Sequence, residues 1–231
     1  MAYVVAIDGT AGSGKGTVTK MVADKLGMIN VDTGIIYRII TLDIINNNID
    51  ISDIEGIERL LEKDNIFISY DNNNQRAMLN GSDVTGEIRN NQVNALVSKV
   101  AGIRLVRERA NVIIRNIAKD YMDKGISIIM EGRDITTVVF PDALVKIYMD
   151  ASLEERANRR FKQNNELGIV SSYDEILSNI RSRDYDDMHH EFGALKRDKD
   201  AIYLDTTNIG IDEVVLKIID IINYKLEKEV K

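Results

Sequence analysis

Nine residues near the N-terminus, Gly9-Thr10-Ala11-Gly12-Ser13-Gly14-Lys15-Gly16-Thr17, carry the strongest chemical signal in the chain. They fit the spacing G-x-x-x-x-G-K, directly after a short apolar run (3–7) and directly before a helix-compatible stretch (18–27). Glycines let such a loop fold into a concave nest of N–H donors. The helix that follows adds the partial positive charge of its N-terminus. Lys15 is then placed to bridge two phosphates of a polyphosphate chain. Two further clusters bear charges suited to a second ligand. Asp32-Thr33-Gly34-Ile35-Ile36-Tyr37-Arg38 follows one apolar run, and Glu131-Gly132-Arg133-Asp134 follows another. An arginine beside an aspartate can grip a phosphate while the carboxylate accepts from an amino group.

Those clusters need elements to hold them. Runs at 3–7, 28–31, 126–130, 144–149 and 201–205 read as short strands buried on both faces. Helical patterns lie between them. Residues 211–226 put Ile211, Val214, Val215, Ile218, Ile219, Ile222 and Leu226 on one face. Ser152 with Glu155, and Ser172 with Glu175, have capping-box spacing and mark two helix starts. Strands alternating with helices predict a three-layer α/β/α fold around a five-stranded parallel sheet, with all three clusters on its carboxyl edge. Residues 66–89 break the alternation. They read as extended strands joined by Asp-Asn-Asn-Asn and Asn-Gly turns, within a small α+β insertion over 46–97. The asparagine clusters at 46–48 and 72–74 read as loops. The core is then 1–45 and 98–231.

Composition narrows the chemistry. The 231 residues suffice for one domain with an insertion. A formal net charge of −7 argues against a general nucleic-acid binder. The absence of cysteine excludes thiolate catalysis and disulfides, and two histidines, His189 and His190, are too few for a His-rich metal site. The N-terminus lacks a basic start and a long apolar segment, and no window reaches ~18 uncharged apolar residues. A cytoplasmic protein is expected, with no membrane partner.

The loop DGTAGSGKGT has glycine, not serine or threonine, after its lysine, which resembles nucleoside monophosphate kinases. With VDTGIIYR, GSDVTGEIR, EGRD-x-x-TVVFPDA, ASLEERANRR and RSRD, it is similar to bacterial cytidylate kinase over nearly the whole chain. That resemblance implies a P-loop kinase core, a monophosphate-binding insert and a short mobile lid, placed here at 163–170. It implies transfer of the γ-phosphoryl of ATP to CMP or dCMP, with Mg²⁺, by a monomer. Residues 9–17 and Arg159 would hold ATP. Lys15, Arg133, Arg156 and Arg160 would act on the transferring group. Arg38, Arg133 and Arg183 would clamp the acceptor phosphate, with Thr33 nearby. Ser98, Arg107 and Asp134 would read the cytosine edge, and Asp187 would bind the ribose. Glu131, where the family usually has Asp, would hold Mg²⁺ through water. Thr136 stands where the family usually has glycine. His190 stands at the place of a phosphate-binding arginine, and a neutral imidazole is the poorer phosphate ligand. A shifted acceptor such as UMP, or a nucleotide-binding regulatory protein of little turnover, are the alternatives.

Overall fold

The computed structural model describes residues 2–71 and 74–229. The chain runs β1 (Val4–Gly9), α1 (Lys15–Leu26), β2 (Ile29–Asp32), α2 (Gly34–Asn46), α3 (Ile54–Lys63), β3 (Ile66–Asp71), β4 (Asn74–Leu79) and β5 (Ser82–Asp83). It continues through α4 (Asn91–Ala101), α5 (Arg104–Met122), β6 (Ile128–Gly132), β7 (Val145–Asp150), α6 (Leu153–Glu166), α7 (Tyr173–His189), β8 (Ile202–Asp205) and α8 (Ile211–Glu229). All five expected core strands form one parallel sheet in the order β2-β6-β1-β7-β8. All six residues of central β1 are buried, as a strand covered on both faces requires.

Parallel pairing sets the register of the motifs. Asp8 lies opposite Gly132, and Asp32 opposite Glu131. The loop after β1, the start of α2 and the residues after β6 therefore share one edge of the sheet. One face carries α1 and α8, packed through Val18, Val22, Val214, Val215, Ile218 and Ile222. Ile211, read as part of that apolar face, is instead half exposed at the first turn of α8. The other face carries α2 and α5. Its apolar cluster runs unbroken from Ala6 and Val31 through Ile36 and Ile40 to Ile57, Ile66, Ala77 and Ile88. The insertion therefore shares a core with the sheet, and residue 98 lies inside α4.

Local chemistry explains most element starts. Asp53, Asn90 and Ser152 each accept an N–H in the first turn of α3, α4 and α6. The second capping box fails in detail: α7 starts where expected, but the Ser172 side chain makes no cap bond. β3, β4 and β5 form a small antiparallel sheet. Its Asn80-Gly81 turn has positive φ at both residues, the geometry that this pair favours in tight hairpins. Of the other asparagines, Asn46 closes α2 and Asn74 opens β4 rather than lying in loops, and residues 72–73 lie outside the described residues. Among the described residues no helix is long and apolar enough to cross a membrane.

Candidate active site

Two glycines show why the loop between β1 and α1 has its sequence. A Cβ on Gly9 would lie 1.8 Å from the Met149 carbonyl oxygen of neighbouring β7. A Cβ on Gly16 would lie 2.7 Å from Glu131 Oε1, so a side chain there would displace that carboxylate from the first turn of α1. Gly14 occupies the N-cap with no side-chain bond, which leaves first-turn N–H groups for an anion. Lys15 Nζ folds back onto the loop and donates to Gly9 O at 2.9 Å and Thr10 O at 2.8 Å. Burial, and then Arg133, push the Lys15 pKa down. Burial, and then Asp32, push that of Glu131 up.

The loop is held from beneath. Arg156 donates to Ala11 O (2.8 Å), to Ala151 O (2.9 Å) and to Asp184 (2.6 Å), and Asp184 accepts from Ala11 N. Arg156 was expected at the transferring group; its guanidinium is instead committed to this buried clamp. Thr10 donates to Asp150, and Ser13 donates to Thr10 O. Arg159 bonds Glu155, Thr206 and, at 3.5 Å, Ser13 O. With Ser13, Met149, Thr206 and Ile209 it lines a cavity of about 190 Å³ beside the loop. Thr206 and Ile209, after β8, carry no motif that sequence reading could use.

On the other side of Lys15 lies a cavity of about 280 Å³. It brings together Gly12, Gly14, Lys15, Gly16, Thr33, Arg38, Ser98, Arg107, Glu131, Arg133, Asp134, Arg183 and Asp187. Gly9, Thr10, Ala11 and Thr17 are not in its wall; Thr17 is exposed on α1. Asp32, Tyr37 and Arg89 also line it; each sits inside a quoted motif, but sequence reading gave none of them a role of its own.

Its charges divide into two groups. Arg38, Arg133 and Arg183 crowd one end. Burial lowers the Arg38 pKa, with Arg89 and Arg160 adding to the effect. Burial, then Arg133, push Arg183 down to about 10. A cluster of cations that disfavour one another is suited to a dianion. Asp187 is the principal counter-charge. It accepts from Arg133 at 2.6 Å and from Ser98 at 3.0 Å. Burial works to raise its pKa, but Arg133 and Arg183 outweigh it, and the net shift is downward. Arg160 itself is exposed and donates to Gln163.

At the other end Arg107 and Asp134 pair at 2.8 Å, both nearly fully buried. A Cβ on Gly193 would lie 2.4 Å from each of them, and Gly193 has φ +61°, so the glycine lets the segment after α7 cover the pair. Buried Arg107 Nε has no partner among the described residues, and the Tyr37 ring lies 5.5 Å from the guanidinium carbon. A donor fork beside a carboxyl is a recognition surface for a planar amide-bearing ring. His190 does not line the cavity. Its Nδ1 lies 3.3 Å from Arg107 Nη2, behind the pair, and burial with Arg107 lowers its pKa.

A family model described as cytidylate kinase matches residues 5–224. A cytidylate kinase of Caldicellulosiruptor saccharolyticus is 42% identical over 226 residues, covering 98% of each chain. One of Thermosipho melanesiensis is 45% identical over 221 residues, covering 96% of this chain and 97% of its own. Among solved structures, an uncharacterized protein from Eubacterium ventriosum superposes with a TM-score of 0.52 at 13% identity, covering 96% of this chain and 98% of its own. TT1252 from Thermus thermophilus gives 0.50 at 16%, covering 97% and 98%. These two likenesses concern the fold alone.

Proposed function

The chain belongs to the cytidylate kinase family, and we propose from that premise that it transfers the γ-phosphoryl of ATP to CMP or dCMP, giving ADP and CDP or dCDP. The observation that carries the reading is the division of the larger cavity. Its cation cluster suits a nucleoside monophosphate's phosphate, and the Arg107–Asp134 pair suits the amide and amino edge of cytosine. Both lie beside the loop that would hold the donor.

In this reading ATP places its phosphates in the nest of residues 9–17, and its base in the smaller cavity against Arg159. Lys15 gives up the carbonyls of Gly9 and Thr10 and bridges the β- and γ-phosphates. Arg38, Arg133 and Arg183 hold the acceptor phosphate so that one of its oxygens faces the γ-phosphorus. Asp187 takes the ribose hydroxyl edge, with Ser98 beside it. Transfer needs no protein nucleophile: an acceptor oxygen attacks in line and ADP leaves, while the cations stabilise charge on the transferring oxygens. Arg160 joins them when the segment 163–170 and the insertion over 46–97 close over the nucleotides and exclude water. Arg156 contributes by fixing the loop.

Glu131 and Asp32 suit Mg²⁺. They are two hard carboxylates opposite one another across β6 and β2, and Asp32 raises the cost of charge on Glu131. Mg²⁺ keeps several waters and takes one or two carboxylates plus substrate phosphates. It would neutralise charge between the β- and γ-phosphates. The reading is of a monomer acting on small molecules, with no nucleic-acid partner. The same reading places it in the cytoplasm, with no membrane partner.

The test is ADP production from Mg·ATP with CMP, dCMP, UMP, AMP and GMP offered separately. Turnover confined to CMP and dCMP is expected. Preference for UMP would indicate a shifted acceptor, and ATP binding without turnover a regulatory role.

A further inference from the structure

Asp8 is a fully buried carboxylate that the transfer itself does not use. It is the residue immediately before the phosphate loop. Its Oδ1 accepts from Ile135 N at 2.9 Å. Its Oδ2 accepts from Thr136 N at 2.7 Å and from the Thr136 hydroxyl at 2.6 Å. Thr136 is also fully buried and does not line the substrate cavity. The two amides open a π-helical turn, Ile135–Val139, whose N-cap is Asp134. Asp134 O in turn accepts from Val138 N and Val139 N. One unbroken set of bonds therefore runs from the loop, through Asp8 and the turn, to the Asp134–Arg107 pair.

We infer that Asp8 and the Thr136 hydroxyl form a positioning pair that fixes the Asp134–Arg107 pair relative to the phosphate loop, and so sets acceptor-base recognition at a constant distance from the donor. The inference rests on the reading of Asp134 and Arg107 as the base-recognition pair. The geometry favours positioning over mere core filling. A threonine that only filled space would not place its hydroxyl on a carboxylate already bonded by its own amide. A buried carboxylate is costly unless its oxygens are satisfied. Here all its protein donors come from the segment that carries Asp134. Burial pushes Asp8 up to about 6, and the Thr136 hydroxyl pulls the other way. The charged and titratable groups facing Asp8 are Asp134 from the turn, Lys15 from α1 and Tyr148 from β7. Protonation of Asp8 would weaken all three accepted bonds and loosen the turn.

The decisive variants are Thr136→Val, which keeps the shape and removes the hydroxyl, and Thr136→Ser, which keeps the hydroxyl. Thr136→Val is expected to raise KM for CMP roughly threefold to tenfold with KM for ATP unchanged, the scale of one lost hydrogen bond. Its acid limb in kcat/KM for CMP should move to higher pH, because Asp8 loses a bond that favours its ionised form. Thr136→Ser should restore both. The phosphate of CMP titrates identically with every variant, so differences between profiles belong to the enzyme. Equal changes in both KM values, or a valine variant with wild-type parameters, would overturn the inference. If Thr136→Val does not fold, a ¹³C titration of the Asp8 carboxyl in the wild type decides. Uncharged cytidine should lower its midpoint, and an unmoved midpoint refutes the linkage. Asp134→Ala separates the two levels. If it leaves selectivity for CMP over UMP unaltered, the reading of the base pair fails. If it alters selectivity while Thr136→Val leaves KM for CMP at the wild-type value, only the positioning inference fails.

Discussion

At the phosphate loop Lys15 rests on backbone carbonyls, whereas in the acceptor cavity Arg133 and Arg107 rest on carboxylates. Lys15 lies on Gly9 O and Thr10 O. Across the cavity Arg133 lies on Asp187, and Arg107 on Asp134. Carbonyls are neutral partners that a phosphate can replace, so the donor side is built to change partners. A carboxylate holds an arginine in one orientation, so the acceptor side is built to hold a shape. Arg159, which also holds the Glu155 carboxylate, and Arg38, which donates to Ile88 O and Asn94 Oδ1, blur the boundary, and Arg156 crosses it outright. It serves the loop, yet its carboxylate Asp184 makes it part of the frame.

The largest effect should come from the donor side. Lys15→Ala is expected to lower kcat by about 10³-fold, the scale of removing one fixed charge from a phosphoryl-transfer site. Thermal unfolding should change little, and a variant with wild-type turnover would end the contrast. Arg156→Met tests the boundary. It strands Asp184 without its buried partner, which costs about 3–5 kcal/mol and lowers Tm on the order of 10 °C. A melt at the wild-type temperature with kcat reduced would return Arg156 to the transferring group. On the acceptor side, Asp134→Ala should cut the preference for CMP over UMP by roughly tenfold to hundredfold, because it frees a buried guanidinium. Steady-state competition between the two nucleotides reads this directly.

The smallest effect sharpens the contrast through pH. In the free protein the Glu131 pKa is raised, so the folded chain keeps a proton that the unfolded chain has released. Its contribution to stability is complete below the ordinary glutamate range and is lost as pH rises through the raised value. The Lys15 pKa is lowered, so its contribution is complete above the ordinary lysine range and is lost as pH falls through the lowered value. The two together predict a shallow minimum in Tm between those ranges. The minimum should vanish in a Lys15→Met, Glu131→Gln double variant and when Mg·ATP is added. Melting curves across pH would show it, and a flat profile would mean that the two shifts do not act in the free protein.

The sequence made the main sheet readable because buried parallel strands are plain apolar runs. Val4–Gly9, Ile128–Gly132 and Val145–Asp150 needed no neighbour to be recognised. The loop was legible because its glycines answer to local backbone geometry. The partners of the arginines were not legible. Arg156 and Asp184 lie 28 residues apart on two helices, and Arg133 and Asp187 lie 54 apart. Nothing local distinguishes an arginine that will meet a carboxylate from one that will meet phosphate, which is why Arg156 was placed at the chemistry. Asp8 was hidden for the same reason, since its donors arrive 127 and 128 residues later. The insertion's small sheet was readable from Asn80-Gly81. Its continuity with the main apolar cluster was not, because shared burial depends on how α2 sits against β3 and β4.

The strand order has a consequence for how the chain is made. β1 and β2 are the first strands to leave the ribosome, yet they are not neighbours; β6 lies between them. Neither can form its central ladder until Ile128–Gly132 has been synthesised. At about 5–20 residues per second, that leaves the two strands without their shared partner for on the order of 5–20 s. During that interval the apolar residues of α2, α3 and the small sheet are already present and can gather against one another. The strand order thus delays closure of the sheet until its middle strand emerges, whereas the residues of the insertion that share its core precede that strand on the chain.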